Sequence, residues 1–298
     1  MNSQTCLINQ EQSFTEKMGE CFSLTKPHLS ISIGFSAFFG SSLAVNTFTR
    51  DNIYIGLAIF ILACGCSCLN NIQDRHLDTY FLRTKARALP QKRISLKFAS
   101  ILSSICIIIP ITLLFLYSPH LEAGVSAIIS VFFYNALYTP LKKNFVMAIL
   151  PGIICGMLPV LIGYAAIGGT GLPAHLIIAC IILMAWQIPH TWLIILHYFP
   201  DYEKNKLPSF LDLFGPQTIK RLICIWVFAL SVMMIFFAAS LGITDASWLI
   251  VINAFVMALS FALSLLSEKN KKIHYRSLFI HLNISLFIMM TISMLDKV

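Results

Sequence analysis

The sequence predicts an all-α, polytopic membrane protein with nine transmembrane helices. Three observations carry this. Of the 298 residues 57% are hydrophobic, only 11% are charged, and the basic residues gather in alternate loops between long apolar runs. Soluble domains carry about a quarter charged residues, so a soluble globular fold is excluded. An outer-membrane barrel is built from alternating segments of about ten residues, and the apolar runs here are continuous. Gly and Pro number 14 and 12, which excludes a collagen-like chain, and the apolarity excludes a disordered one.

A bilayer core takes about 20 apolar residues per helix. The first 28 residues form a polar segment with Glu11, Glu16 and Glu20 and do not resemble a secretory signal. Residues 29–298 are read as one membrane domain. Leu29–Val45 is the first and shortest stretch, entered through Lys26-Pro27, which suits a helix start. Ile53–Asn70 follows, then a loop with seven cations, Arg75, Arg83, Lys85, Arg87, Lys92, Arg93 and Lys97. Leu96–Tyr117 and Leu121–Tyr138 come next, and Lys142 and Lys143 close the fourth stretch. Phe145–Ala166 and Ala174–Leu196 lead to Lys204, Lys206, Lys220 and Arg221. Leu222–Leu241 and Trp248–Leu266 lead to Lys269, Lys271, Lys272 and Arg276, and Leu278–Leu295 ends the series.

With Lys17 and Lys26, nineteen of the 21 basic residues fall on one side of this arrangement; Arg50 and Lys297 fall on the other. The positive-inside rule then places the N-terminus and the even-numbered loops in the cytoplasm and the C-terminus outside. The net charge of +8 is mostly this signal and needs no nucleic acid to explain it. Seven of the nine cysteines lie in apolar runs, where Cys behaves as a small hydrophobe. Cys64, Cys66 and Cys68 point in divergent directions on a helix, which argues against a shared metal.

The segment Asn70-Asn71-Ile72-Gln73-Asp74-Arg75-His76-Leu77-Asp78 leaves the second helix without a Gly or Pro break. If the helix continues, Asn70, Asp74 and Asp78 stand at i, i+4 and i+8 on one stripe. Two carboxylates and an amide oxygen there cannot face lipid, and oxygen ligands of this kind suit Mg²⁺ shared with a phosphate. Arg83-Thr84-Lys85-Ala86-Arg87 comes directly after. Carboxylates followed by cations is the pairing a diphosphate requires; an interfacial network of ion pairs reads equally well from the residues alone. In the sixth stretch, Trp186-Gln187-Ile188-Pro189-His190 puts polar groups at membrane depth, which favours a cavity over lipid. His190 and His197, seven apart, are nearly eclipsed on a straight helix. His commonly ligates haem iron, and an ordinary helix-bonding or interfacial His is the competing reading.

Asn70, Asn71, Asp74 and Asp78, followed by Arg83-Thr84-x-x-Arg87, resemble the first aspartate-rich motif of the UbiA superfamily of intramembrane prenyltransferases. W-Q-x-P-H, with Asp201-Tyr202 and Pro208 after it, resembles the haem O synthases within that superfamily. The resemblance spans roughly Gly65 to Pro208. It implies a UbiA-type bundle in the cell (inner) membrane that transfers farnesyl from farnesyl diphosphate to a vinyl group of haem b, with hydration. It implies Mg²⁺ held by Asp74, Asp78, Asp201 and Asn205, and diphosphate held by Arg83, Lys85, Arg87, Lys142 and Lys143. Asn70 and Asn71 would orient ligands or water, and Tyr138 would steady a cation through its ring face. Trp186, Gln187, His190 and His197 would contact haem, the substrate. Haem A synthase or a terminal oxidase pathway is the implied downstream partner.

Four positions, in three places, depart from the family pattern. Asn205 stands where a D-x-E-x-D motif has its last carboxylate, Leu158 where a first Pro is usual, and Ser209-Phe210 where Met-Leu is usual. The hybrid second motif keeps open a UbiA enzyme acting on an aromatic quinone precursor. A non-catalytic haem or lipid carrier is a third reading. It gives no reason for three oxygen-bearing side chains in register beside R-T-x-x-R.

Overall fold

The computed structural model describes residues 14–45, 47–80, 84–199, 210–242, 244–266 and 274–295, and among them every regular element is helical. A short helix α1 (Phe14–Leu24) precedes α2 (Pro27–Ala44), α3 (Arg50–Asp74), α4 (Leu96–Tyr117) and α5 (Leu121–Val131). Beyond them lie α6 (Ile149–Ala166), α7 (Ala174–His197), the single-turn α8 (Phe210–Leu213), α9 (Pro216–Leu241), α10 (Asp245–Leu266) and α11 (Tyr275–Leu295).

Eight of the nine predicted stretches fall in helices long and apolar enough to cross a bilayer. The other, α2, is a helix of 18 residues in the expected place. Five serines and two glycines lower its apolarity, and the glycines let it pack tightly. A Cβ at Gly163 would overlap the Ala37 carbonyl, and one at Gly40 would overlap Val160. Small residues of this kind let membrane helices approach backbone to backbone, where packing rather than hydrophobicity holds them. Thr49 and Ser95 start the next helices. The Thr49 N–H donates to Asn52 Oδ1 at 2.8 Å, and Ser95 Oγ accepts from the Phe98 N–H at 3.2 Å.

The helices close a ring in sequence order. On one side α2, α3, α4, α5 and α6 pack as neighbours; on the other, α7 packs on α6 and α9, and α10 joins α9 to α11, which returns to α7 and α2. Each half has its own core, one around Ile59, Leu62, Ala123 and Ile162 and a larger one around Phe237, Met234, Leu193 and Leu282. Leu158 belongs to the first of these, 4% exposed. That departure from the family pattern is a packing residue and lines neither cavity described below.

The fourth stretch is not uniform. Its α-helical ladder gives way to a π-helical segment, Phe132–Tyr138, and then one α turn, Thr139–Leu141. Pro140 is a physical reason for the change. It has no N–H to give the carbonyl of Ala136, and in an α register its ring would strike that carbonyl.

Candidate active site

Two adjoining cavities open inside the ring. A polar one of about 440 Å³ is lined by Lys26, Asn70, Asp74, Asp78, Arg87 and Lys142, among others. An apolar one of about 350 Å³ runs among α2, α3, α5, α6, α7 and α11, bounded by residues such as Ile59, Leu62, Cys155, Phe287 and Met290. Leu29, Tyr134, Tyr138, Ile149, Gln187 and Thr191 line both. The pair therefore forms one amphipathic site, a charged head joined to an apolar tail.

The last turns of α3 supply the acidic side. The expected stripe is only partly helical: α3 ends at Asp74, and Asp78 comes from a 3₁₀ turn, Leu77–Thr79. Hydroxyls capture the carbonyls there, Thr79 Oγ1 donating to His76 O and Thr84 Oγ1 to Asp78 O. Asn70, Asp74 and Asp78 nevertheless converge, each buried and facing the polar cavity. Asp74 Oδ2 accepts from Lys142 Nζ at 2.5 Å and Asn70 Nδ2 at 3.0 Å. Lys143 Nζ lies 3.7 Å from Asp74 Oδ1 and donates to Gln73 O at 2.9 Å. Arg87 Nη1 bonds both Asp78 oxygens, at 3.0 and 2.8 Å, and reaches Asn71 Oδ1 at 3.3 Å.

Other predicted residues fall differently. Asn71 does not line the cavity; its Nδ2 donates to Leu24 O at 2.7 Å, tying α3 to the end of α1. Lys85 is exposed and lines neither cavity. Arg83, Asp201, Asn205 and Ser209 lie outside the described residues. Tyr138 lies at the junction of the cavities, stacked on Tyr134 at 5.8 Å, with Lys142 Nζ 5.5 Å from its ring centre.

The W-Q-x-P-H residues lie on the opposite wall. Gln187 lines both cavities, Trp186 the apolar one and His190 the polar one. The His190 ring sits between Trp186 and Phe279, 4.3 and 4.6 Å from their centres. Trp186 Nε1 and His190 Nδ1 are buried without a hydrogen-bond partner. His197 is a correction: at the last residue of α7 it is exposed, its ring edge-on to Tyr198, and it lines neither cavity. Two turns of helix separate it from His190, and only His190 lines the polar cavity. Phe210 lines the polar cavity, its ring 5.6 Å from that of Trp192.

The oxygen donors suit a hard cation. Among the described residues no group of three His, Cys, Asp or Glu could hold a metal by itself. Asp74 and Asp78 do face one cavity, and Asp74 Oδ1 is buried and accepts no hydrogen bond. Two carboxylates with a spare oxygen fit Mg²⁺ that completes its shell from water and a phosphate.

Sequence reasoning missed Lys26 as a site residue. It is left-handed, at φ 46° and ψ 60°, and its Nζ donates to Asn70 Oδ1 at 2.7 Å. Burial pushes its ammonium down to about 7; Arg87 and Lys142 push the same way, and Asp74 and Asp78 oppose them. Lys26-Pro27 was a visible signal, read only as topology and a helix start. Gln73, Asn135 and Thr139 also escaped notice. Thr139 Oγ1 accepts from Asn70 Nδ2 at 3.1 Å, and Asn135 is buried against α3.

The UbiA prenyltransferase family model matches residues 31–286. A protoheme IX farnesyltransferase of Nitratidesulfovibrio vulgaris (strain DP4) is 31% identical over 248 residues, covering 83% of this chain and 86% of its own. One from Flavobacterium psychrophilum is 31% identical over 261 residues, covering 84% and 85%. Solved structures agree on the fold. A UbiA homolog from Aeropyrum pernix K1 superposes with a TM-score of 0.74 at 19% identity, covering 91% of this chain and 99% of that one. A homolog from Archaeoglobus fulgidus bound to GPP and Mg²⁺ gives 0.68 at 13%, covering 92% and 98%. The chain belongs to the UbiA prenyltransferase family.

Proposed function

We propose that this protein transfers the farnesyl group of farnesyl diphosphate to the vinyl group of haem b, with hydration, to give haem O. The observation that carries the reading is the joined pair of cavities. A prenyl diphosphate is a highly charged head on an apolar chain, and the site has a matching division. Relatives about 31% identical over most of their length are protoheme IX farnesyltransferases, which supports haem as the acceptor.

Asp74 and Asp78 would hold Mg²⁺, with Asp201 and Asn205 as further candidates. That ion, when bound, supplies charge neutralisation for the departing diphosphate. Arg87 and Lys142, with Arg83 and Lys26, hydrogen-bond the diphosphate oxygens as the C–O bond to farnesyl breaks and both electrons leave with oxygen; Lys143, which lines neither cavity, adds positive charge behind them. Asn70 orients Lys26 and Asp74. Tyr138, at the junction, offers its ring face to the allylic cation, and the apolar walls keep water from it. The terminal vinyl carbon forms the new C–C bond. The cation left beside the macrocycle takes an oxygen from water, which releases a proton. Gln187, Trp186 and His190 are the groups that contact haem, and the vacant Trp186 Nε1 and His190 Nδ1 give it polar partners. The charge asymmetry of the loops supports a cytoplasmic N-terminus and motif side, with the C-terminus outside.

The test offers haem b and an aromatic acid side by side to membranes containing the protein, with farnesyl diphosphate and Mg²⁺. The reading expects the haem to gain the mass of a farnesyl group plus water while the acid is unchanged. Prenylation of the acid alone would shift the acceptor to a quinone precursor, and no prenylation of either would remove the enzyme reading.

A further inference from the structure

The π-helical segment is held by two residues that the transfer reaction does not itself use. Asn135 lies in its middle, 3% exposed. Asn135 Nδ2 donates to Cys66 O at 3.0 Å and to Gln73 Oε1 at 3.3 Å. Gln73 Nε2 donates back to Asn135 O at 2.9 Å. These bonds interlock one face of α3 with the π turn.

The chain's own sequence explains why the carbonyl of Asn135 needs an outside donor. In this segment the Thr139 N–H bonds Tyr134 O, a five-residue step. The next donor in that ladder would come from residue 140, which is proline and has none. A buried carbonyl left alone is costly, and the Gln73 amide fills the vacancy. Thr139 Oγ1 adds a second bond to Tyr134 O at 2.8 Å and receives one from Asn70. Single π turns inside α-helices are rare and recur at functional sites.

The register has a chemical consequence. A π turn takes one more residue than an α turn, so everything after it is rotated about the helix axis. Tyr134, Tyr138 and Lys142 are four apart, and all three line the polar cavity. The two rings stack with only 18° between their planes. Lys142 meets Asp74, and Lys143 is held by Gln73 O. We propose that Gln73 and Asn135 are positioning residues, whose reciprocal hydrogen bonds fix the π turn that aims Tyr138 and Lys142 at the reacting carbon and the diphosphate. The proposal rests on the farnesyl-transfer reading.

The experiment compares wild type and Gln73→Met in membranes, varying farnesyl diphosphate and haem b separately. For Gln73→Met, kcat falls roughly 10- to 100-fold, as for a reacting group displaced by about 1 Å. KM for farnesyl diphosphate rises and KM for haem b stays within about twofold, because the W-Q-x-P-H wall is on another helix, α7. Gln73→Met at near wild-type kcat would overturn the proposal. So would equal rises in both KM values, which mean general loosening. If Gln73→Met does not accumulate, Asn135→Ser carries the same KM comparison. Failure of wild type to farnesylate haem is a separate result and removes the underlying reading instead.

Discussion

Replacing Asp74 by Asn tests the acidic cluster at its most connected point. Asp74 is 4% exposed, and its carboxylate bonds Lys142 and Asn70 and stands 3.7 Å from Lys143. The amide is nearly the same size, so no cavity forms; what changes is one negative charge and one acceptor turned donor. Breaking a fully buried ion pair costs about 3–5 kcal/mol. Here the Lys142 and Lys143 side chains keep 26% and 32% of their exposure, and solvent reduces the loss to about 1–3 kcal/mol. On the farnesyl-transfer reading the catalytic loss is larger, since that reading places charge at this position as the diphosphate leaves. Removing one pre-aimed electrostatic group typically lowers kcat by about 10²–10³. The assay quantifies folded protein in the membrane first, then the single-turnover rate of farnesylated haem formation across a Mg²⁺ titration. Asp74→Asn is expected to need more Mg²⁺ and still to plateau about 10²–10³ lower. Folded variant turning over within about threefold of wild type, at the same Mg²⁺ midpoint, would exclude a role for the Asp74 carboxylate in Mg²⁺ binding and turnover.

Arg87→Lys replaces a guanidinium whose Nη1 bonds both Asp78 oxygens and Asn71 Oδ1, with further donors free for substrate oxygens, by a compact ammonium. A fall of about tenfold in kcat/KM for farnesyl diphosphate is expected, read by initial rates, with KM for haem unchanged. Lys26, with its ammonium pushed down to about 7, loses charge as pH rises through that value. So kcat/KM for farnesyl diphosphate is expected to decline above about pH 7 in wild type. Lys26→Arg, charged throughout, flattens that limb. The same depression acts oppositely on stability: between the folded value of about 7 and the ordinary 10.5 the unfolded chain binds more protons, so stability rises with pH there. His190→Phe keeps the contact with Trp186 and Phe279 and removes the ring nitrogens. KM for haem is expected to rise about tenfold while that for farnesyl diphosphate is unchanged, as substrate titrations will show.

The membrane class and the acidic motif were legible because they rest on local signals. Apolar run length marks eight spans, and a four-residue spacing of Asn70, Asp74 and Asp78 marks the stripe, even though the helix itself stops at Asp74. What local spacing cannot carry is contact between distant segments. Lys26 meets Asn70 across 44 residues, Lys142 meets Asp74 across 68, and Asn135 meets Gln73 across 62. Only the second of these pairs was approached from sequence, through the side of the membrane each loop shares. The π turn was invisible because an apolar count does not sense register, although Pro140 was there to be read. His197 misled because eclipsed spacing on a helix says nothing about where the helix leaves the bundle.

In the proposed reaction the joined cavities hold farnesyl diphosphate, its head at Asp74 and Asp78 and its tail among α2, α6 and α11. A farnesyl diphosphate analogue with a photoreactive group at the tail end tests this most directly, with labelled residues identified by mass. Labels are expected on residues of the apolar cavity such as Cys155, Phe287 and Met290, strengthened by Mg²⁺ and displaced by farnesyl diphosphate. Labels confined to outward-facing residues such as Ile225 and Phe228, indifferent to Mg²⁺ and to competitor, would contradict this placement.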